Sequence, residues 1–382
     1  MKIIIPDNND PGLIAAVQRL AAKPSQHSIR EVYGKPTRST VIGSGRANLR
    51  SEGMQKEEMI QRVLGFRSIG LGYDYTLNGV LPRARVMENR REIIEELEWI
   101  ESSPIRTVTV ANYELARLAE KYAPSVSLAI SIFAGVDNKR TFRQWAELPN
   151  VREINTDVGT FRNLRLLEEL VEQGREQETC VRVIANLGCM ADCARKEEHA
   201  MIKDMASLDR NSLHYAPCTF FCMRYNLENP EEFLKMPLIR PDDLGRYEDI
   251  GVAAVKIVDR IQKTPWIEKV VGHYLDGMFE GNILDLTCTY TTIGIEQATA
   301  DEVAAIDMGQ VMSSRDAVLK YRDRLPALMG IAIDPDYDML SCSNACSACK
   351  GCKDTPAVKY DPKRREIVLA QLAKLEQDYL FR

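Results

Sequence analysis

The sequence has few of the features that mark secreted, membrane-spanning or nucleic-acid-binding proteins. No apolar run approaches the roughly 20 residues that cross a bilayer. The N-terminal apolar run is short and is followed at once by Pro6 and Asp7, unlike a signal peptide. The net charge of −5 argues against a bulk phosphate-binding surface. We therefore expect a cytoplasmic protein with no membrane partner and no bulk nucleic-acid binding.

The motifs of common hydrolases and dehydrogenases are also missing. No nucleotide-binding glycine fingerprint follows a predicted strand. No Ser-His-Asp order can be argued from one sequence. The segment Gly43-Ser44-Gly45-Arg46 resembles a phosphate-cradling loop, but it is too short, and we interpret it as a turn. The sequence therefore offers no catalytic or nucleotide-binding motif for an ordinary hydrolase or dehydrogenase.

Eight of the ten cysteines fall into two clusters. The first cluster has two Cys-x3-Cys pairs separated by 24 residues, Cys189 with Cys193 and Cys218 with Cys222. On a helix, the two thiols of such a pair lie about one turn apart and point to one side. Four thiolates suit a zinc ion or an iron–sulfur cluster, and clustered cysteines in a reducing cytosol favour metal over disulfides. Because structural zinc sites usually use Cys-x2-Cys, the spacing favours a 4Fe–4S cluster, with zinc as the alternative.

The second cluster lies near the C-terminus and contains Cys342, Cys346, Cys349 and Cys352. Its first three cysteines have the spacing of radical-SAM enzymes. However, this motif lies near the end of the chain rather than at its beginning, and Ala348 stands where that family has an aromatic residue. Cys352 also offers a fourth thiolate. We therefore predict a second 4Fe–4S cluster with an electron-transfer or structural role, and structural zinc is the alternative.

The two remaining cysteines, Cys180 and Cys288, lie outside both clusters. A free cysteine behaves as a small apolar residue and is often buried. We interpret both as core thiols.

Short β-type runs alternate with amphipathic helical patterns over the first 260 residues. Strands are predicted at 2–6, 29–34, 68–75, 106–112, 126–133, 151–157, 180–186, 236–240 and 253–260. Helices are predicted at 12–22, 57–65, 89–101, 113–123, 142–148, 162–173, 194–207 and 242–251. This alternation predicts an α/β fold, a (β/α)8 TIM-barrel-like domain with a C-terminal cysteine-rich accessory region. Nine strands are one more than a barrel needs, and we expect one of the first two to lie outside it.

The pattern becomes less regular after residue 260. We therefore divide the chain into a barrel at 1–262, which carries the first four-cysteine site, and an accessory region at 263–382. The accessory region carries the second four-cysteine site and ends in a charged amphipathic helix.

Polar residues recur where the predicted strands end, namely Asn78, Asn112, Asp157, Asn186, Arg240 and Lys256. Active-site residues of barrels lie at the C-terminal ends of the strands. We interpret Asn112 and Asp157 as helix caps or turn formers. Cys189 also follows such a strand, which predicts the first metal site at the mouth of the barrel.

Three further side chains are candidates for proton transfer or anion binding. His199 lies ten residues after Cys189 on the predicted helix 194–207, and its proton-transfer range is near neutral pH. A surface or core histidine is the alternative. Lys256 and Arg260 lie four residues apart and could hold a carboxylate or phosphate. A salt bridge to a neighbouring acid is the alternative for these two.

Four blocks of the sequence resemble the collagenase-like peptidase U32 family. They are VYG with the GSGR turn, GYDYTLNG with Asn78, the IANLGC-x3-C-x5-H block, and IRP-x-DL-x2-Y-x2-IG-x4-KI-x2-R. The blocks occur in the family's order, and the resemblance covers roughly residues 1–262.

The resemblance implies an eight-stranded barrel whose 4Fe–4S cluster would be held by Cys189, Cys193, Cys218 and Cys222. Several relatives in this family are oxygen-independent hydroxylases acting on a ubiquinone precursor or on RNA bases, and some are thought to take oxygen from prephenate. The family's collagenase-type cysteine signature is absent here, and Asp259 stands where relatives often have glycine. The substrate of any one relative is therefore not carried over.

We predict an iron–sulfur enzyme that performs oxygen-independent hydroxylation, or a related redox modification, on a small-molecule or carrier- or RNA-bound substrate. A related protein subunit or an electron donor is the expected protein partner. The catalytic candidates are His199, Asn186 and Lys256, and the substrate-binding candidates are Asn78, Arg240 and Arg260. A U32-type peptidase and a zinc-binding scaffold subunit of a heteromeric complex are the alternatives.

Overall fold

A computed structural model of the protein describes most of the chain. The described residues are 1–35, 41–45, 53–80, 83–190, 192–208, 215–293, 299–311, 313, 315–341, 351–352 and 356–381. Eight parallel strands form a closed barrel in sequence order: β1 (Lys2–Pro6), β2 (Ser28–Gly34), β3 (Gly72–Leu77), β4 (Thr107–Val110), β5 (Ser127–Ile130), β6 (Val151–Asn155), β7 (Cys180–Ile184) and β8 (Ala254–Lys256). A separate antiparallel pair consists of β9 (Ala332–Ile333) and β10 (Val358–Lys359). The predicted α/β class and (β/α)8 barrel are confirmed.

Fifteen α-helices lie between and after the strands of the described residues. They are α1 (Leu13–Ala21), α2 (Lys56–Ser68), α3 (Arg83–Glu88), α4 (Arg90–Ser102), α5 (Tyr113–Tyr122), α6 (Lys139–Ala146), α7 (Leu164–Glu176), α8 (Lys196–Leu208), α9 (Tyr215–Glu228), α10 (Leu244–Asp249), α11 (Thr264–Asp276), α12 (Ala300–Ala304), α13 (Met308–Val311), α14 (Arg315–Met329) and α15 (Pro362–Phe381). In α1, for example, Leu13, Val17 and Leu20 form one buried stripe. Among the helices described, none is both long and apolar enough to cross a membrane.

Two compact units alternate along the chain. The barrel unit comprises Met1–Ala185, Ala200–Arg210 and Ile239–Phe279. The other unit, called here the cysteine unit, comprises Asn186–His199, Asn211–Leu238 and Glu280–Arg382. The domain boundary placed between 262 and 263 stays a prediction.

The surplus strand is not one of the first two. Both β1 and β2 belong to the barrel and pair with each other in parallel, so the expectation that one lies outside was wrong. The surplus segment is 236–240, in which Leu238 makes only an isolated bridge to Asn186. Pro237 cannot donate to a ladder, and short 3-10 helices flank the segment on both sides, which leaves no room for a strand.

A guanidinium lies at the centre of a buried charge network in the barrel unit. The Arg182 side chain on β7 is 1% exposed. It forms ion pairs with Glu31 of β2 at 2.8 Å, Asp74 of β3 at 3.3 Å, and Glu153 of β6. Arg30 of β2 also pairs with Glu31 and Glu153, which balances the carboxylate charge.

Asp74 extends this network to two more strands. Its carboxylate accepts a 2.7 Å hydrogen bond from the Thr109 hydroxyl on β4. It also lies 3.7 Å from Lys256 Nζ on β8, and that ammonium stands 3.6 Å from the centre of the Tyr33 ring. Burial lowers the pKa of Lys256 to about 8, although the charge of Asp74 opposes that shift. The network therefore connects β2, β3, β4, β6, β7 and β8.

Replacing Arg182 with leucine should destabilise the barrel strongly. Arg182→Leu would leave Glu31, Asp74 and Glu153 with fewer counter-charges inside the protein, and breaking a buried ion pair costs about 3–5 kcal/mol. Urea unfolding measures the loss in free energy of unfolding. The control is Arg165→Leu, because the Arg165 side chain is 90% exposed and the change should stay within about 0.5 kcal/mol. Equal losses in the two variants would contradict this role for Arg182.

Candidate functional site

Residues 41–45, called here the hub segment, are all buried and contact residues that follow the strands of the barrel unit. Lys35, directly after β2, donates from Nζ to the Ile42 carbonyl at 2.6 Å. The Gly79 amide, two residues after β3, donates to the Gly43 carbonyl at 3.0 Å. The hub segment is therefore held at the carboxyl ends of the strands, where barrels carry their sites.

Arg260 and Asn78, two predicted substrate-binding residues, lie beside the hub segment. The Arg260 guanidinium donates to the Ser44 carbonyl at 2.8 Å, to the Ser44 hydroxyl at 3.1 Å and to the Thr76 hydroxyl at 3.3 Å. Asn78 Nδ2 donates to the Ser131 hydroxyl at 3.3 Å, whereas Asn78 Oδ1 has no hydrogen-bond partner among the described residues. The structure brings these two predicted residues to one end of the barrel.

The glycines of the hub segment are required by close contacts. A Cβ on Gly43 would collide with the carboxylate of Asp204. Gly45 has φ +59°, and a Cβ there would collide with the Phe133 ring. The Gly-Ser-Gly sequence, interpreted from sequence as a turn, is thus a buried connection packed against other side chains.

Lys35 and Asp204 are two buried titratable residues that sequence reasoning missed. Asp204, on α8, is 3% exposed, and burial raises the pKa of its carboxyl to about 6 against the opposing charges of Lys35 and Arg85. Lys35 is 5% exposed, and burial lowers its pKa to about 8. The position of Lys35 directly after a predicted strand was a usable signal. Nothing in the sequence marked Asp204, which lies within a predicted helix.

Two other predicted site residues already have ionic partners. The Arg240 guanidinium forms two hydrogen bonds to the Asp243 carboxylate, at 2.7 and 3.0 Å. Lys256 has the salt bridge to Asp74 that was the alternative to a catalytic role. Their roles in substrate binding and catalysis stay predictions.

The helix-cap interpretation of two polar residues is confirmed. The Asn112 side chain accepts from the Leu115 amide at the start of α5. The Asp157 side chain accepts from the Gly159 amide at the start of a short 3-10 helix.

The first cysteine cluster lies in the cysteine unit and is only partly helical. Cys218 and Cys222 lie on α9, as a Cys-x3-Cys pair on a helix requires. Cys189 and Cys193 instead lie in the loop before α8. The Cys193 carbonyl accepts a hydrogen bond from the Lys196 amide, and α8 begins at Lys196, so Cys193 precedes the helix by one turn.

The side chains of Cys193 and Cys222 lie close to each other. A hydrogen bond from Cys222 is the main reason that the pKa of Cys193 falls to about 6. The amide of Arg195 and the charges of Arg195 and Lys196 act in the same direction. Two cysteines from different pairs are therefore brought together, and one of them is largely a thiolate at neutral pH.

Tyr290 connects the loop of the cysteines with α9. A Cβ on Gly188 would lie 3.1 Å from the Tyr290 ring, and Asn226 Nδ2 donates to the Tyr290 hydroxyl at 2.8 Å. Burial raises the pKa of Tyr290 well above its usual value, and nearby thiols add to the shift. Those thiols belong to Cys222, Cys189 and Cys288.

The core-thiol interpretation of Cys180 is wrong. Cys180 is exposed because it is the first residue of β7, where the strand emerges at the surface. Cys288 is half-buried and lies in the electrostatic environment of Tyr290 together with Cys189 and Cys222. No local pattern in the sequence marked this position of Cys288, since it depends on how distant segments pack.

The two other candidates of this region, Asn186 and His199, lie in the cysteine unit. Asn186 is fully buried, and its Nδ2 donates to the Leu286 carbonyl at 3.2 Å. His199 is half-buried in the first turn of α8. Their catalytic roles stay predictions.

The thiol chemistry of Cys193 and Cys222 fits two adjacent ligands of a metal or cluster. Among the described residues, no group of three His, Cys, Asp or Glu side chains is arranged to hold a metal ion. The side chain of Cys218 lies outside the described residues, as do Cys342, Cys346 and Cys349. Cys352 is described, and its thiol lies 3.7 Å from the Tyr337 hydroxyl.

Fold and site together define the class as a closed (β/α)8-type barrel with a second, cysteine-bearing unit. No family model matches the chain. It is 24% identical over 297 residues to an uncharacterized protease, MJ1657, of Methanocaldococcus jannaschii, which covers 75% of this chain and 81% of that protein. It is also similar to the solved structure of the U32 peptidase Mk0906, with a TM-score of 0.44, 15% identity, and coverage of 67% of this chain and 90% of that one.

Alanine at Gly45 should destabilise the protein more than alanine at Gly135. Both glycines have a positive φ, at +59° and +64°, but a Cβ on Gly135 meets nothing within 4 Å. Gly135→Ala should lower the free energy of unfolding by about 1–2 kcal/mol, from backbone strain alone. Gly45→Ala should lower the free energy of unfolding by about 1–3 kcal/mol more than Gly135→Ala does, because its Cβ would collide with the Phe133 ring. Urea unfolding of both variants measures the difference, and equal losses would contradict the tight packing of the hub segment.

Proposed function

We propose that the protein is an iron–sulfur enzyme of the U32 type in which Cys189, Cys193, Cys218 and Cys222 hold a 4Fe–4S cluster. The observation that carries this proposal is the proximity of the thiols of Cys193 and Cys222, which come from two different Cys-x3-Cys pairs. A bound cluster would supply one-electron transfer to the reaction.

The low pKa of Cys193 supports thiolate ligation. Metal ligands must be deprotonated, and a thiol with a pKa of about 6 is already largely a thiolate at neutral pH. The positive charges of Arg195 and Lys196 would also partly offset the negative charge of a thiolate-bound cluster.

The reaction we propose is oxygen-independent hydroxylation, or a related redox modification, of a small-molecule or carrier- or RNA-bound substrate. The resemblance to the U32 family supports this choice of chemistry. Asn78 and Arg260 would bind the substrate at the carboxyl ends of the strands, because Arg260 is held in place by Ser44 and Thr76 and Asn78 Oδ1 can still accept a hydrogen bond. His199 would transfer protons, with Asn186, Lys256 and Arg240 as further candidates.

The C-terminal set, Cys342, Cys346, Cys349 and Cys352, would hold a second 4Fe–4S cluster with an electron-transfer or structural role. An electron donor or a related subunit would then be the protein partner. Structural zinc is the alternative occupant of this set.

Peptidase activity is the alternative that the names of the two similar proteins favour. A serine peptidase needs a base in contact with its nucleophile. No such nucleophile–base pair can be named from the sequence. We therefore rank this activity second.

Iron and sulfide analysis of the anaerobically purified protein tests the proposal. The wild type should contain iron and acid-labile sulfide in equal amounts, about four of each per cluster. Cys193→Ala and Cys222→Ala should each lower the iron content strongly because they remove adjacent ligands. Cys180→Ala is the matched control, since Cys180 is exposed at the start of β7, and it should leave the iron content unchanged.

Two results would favour the alternatives. Zinc without iron in the wild type would support the zinc-binding scaffold. Peptide cleavage that persists in Cys193→Ala, after the loss of the first cluster, would support the peptidase.

A further inference from the structure

We propose that Lys35 and Asp204 form a ligand site in the barrel unit that binds a hydroxyl group of a small molecule. The site involves none of the cysteines, so it does not depend on whether the protein binds iron. Recognition of a ligand hydroxyl at this site is a binding property in addition to the proposed redox activity.

Asp204 provides an unmet hydrogen-bond acceptor inside the protein. Its side chain is 3% exposed, and Oδ1 has no hydrogen-bond partner among the described residues. The carboxylate lies against the backbones of Gly43 and Gly79, where a Cβ on either residue would collide with it. A buried, unsatisfied carboxylate oxygen costs about 1–3 kcal/mol or more. Such a group is stabilised when a ligand donates to it.

Lys35 provides unmet hydrogen-bond donors close by. Its ammonium carries three N–H groups, and among the described residues it donates to the Ile42 carbonyl at 2.6 Å. Lys35 and Asp204 influence each other electrostatically, yet no ion pair within 4.0 Å joins these two described side chains. Two buried groups of opposite charge therefore lie near each other without direct contact.

The chemistry of the two groups selects the ligand. A group that lies between them must accept from an ammonium and donate to a carboxylate, and a hydroxyl does both. A ligand carboxylate would be repelled by Asp204, and a ligand cation would be repelled by Lys35. A neutral hydroxyl satisfies both residues at neutral pH with a single oxygen atom.

The position of the pair is that of a barrel binding site. Lys35 directly follows β2, and the glycines that enclose Asp204 belong to the hub segment and to the residues after β3. Asn78 Oδ1, next to Gly79 in the chain, is a second acceptor without a described partner and could take another donor of the same ligand.

Carboxyl carbon NMR on the full-length protein tests the proposal, with cyclohexanol as the probe. Protein labelled with 13C at the aspartate carboxyl groups gives the Asp204 signal, which is identified by its absence in Asp204→Asn. Cyclohexanol at pH 7.5 should shift this signal saturably, because its hydroxyl is its one polar group and would donate to Oδ1. Cyclohexyl methyl ether has a similar shape but no O–H, and it should produce no saturable shift.

Two variants complete the design. Lys35→Met should weaken cyclohexanol binding at least about tenfold, since a hydrogen bond to a charged group contributes about 1.5–3 kcal/mol. Asp249→Asn, at an exposed position of α10, should leave the titration unchanged. An equal response to the ether, or no saturable response to the alcohol in wild type, would overturn the proposal. The same titration on Cys193→Ala, which should lack the first cluster, separates this site from the iron–sulfur proposal, because the shift should persist there.

Discussion

The ion pairs around Arg182 are the interaction on which the barrel depends. Removing charges from water is unfavourable, so the guanidinium and its carboxylates must all remain paired. Glu31, Asp74 and Glu153 reach Arg182 from three different strands. Asp74 in turn holds Thr109 and Lys256 on two more strands. A shift of any of these strands by one residue would turn its charged side chain away from the network.

These ion pairs fix the positions of the strands relative to one another. They thereby also fix the positions of the residues that directly follow the strands. Lys35, Asn78 and Arg260 follow three strands that the network connects. The hub segment and the residues beside it therefore rest on a rigid scaffold, as a binding site requires. The glycines at positions 43 and 45 are explained by close packing, because a Cβ on Gly43 would displace the Asp204 carboxylate and a Cβ on Gly45 would displace the Phe133 ring.

The sequence predicted the barrel well because parallel strands buried on both faces are continuous Val- and Ile-rich runs. It failed at 236–240, where an apolar run contains Pro237 and forms a single bridge instead of a strand. The burial of Asp204 depends on how distant segments pack, and so does the proximity of Cys193 to Cys222. No local sequence pattern could therefore reveal either of them. The exposure of Cys180 was missed because Cys180 opens an apolar strand, and its residue type does not distinguish it from the buried residues that follow.

The central claim is that the thiols of the cysteine unit gather around iron. X-ray absorption at the iron edge of the anaerobically purified protein tests this claim most directly, since it reports the atoms bound to the metal. We expect each iron to be surrounded by sulfur, with further iron atoms in the next shell. Iron bound mainly by oxygen and nitrogen, or zinc held by thiolates in a protein without iron, would contradict it.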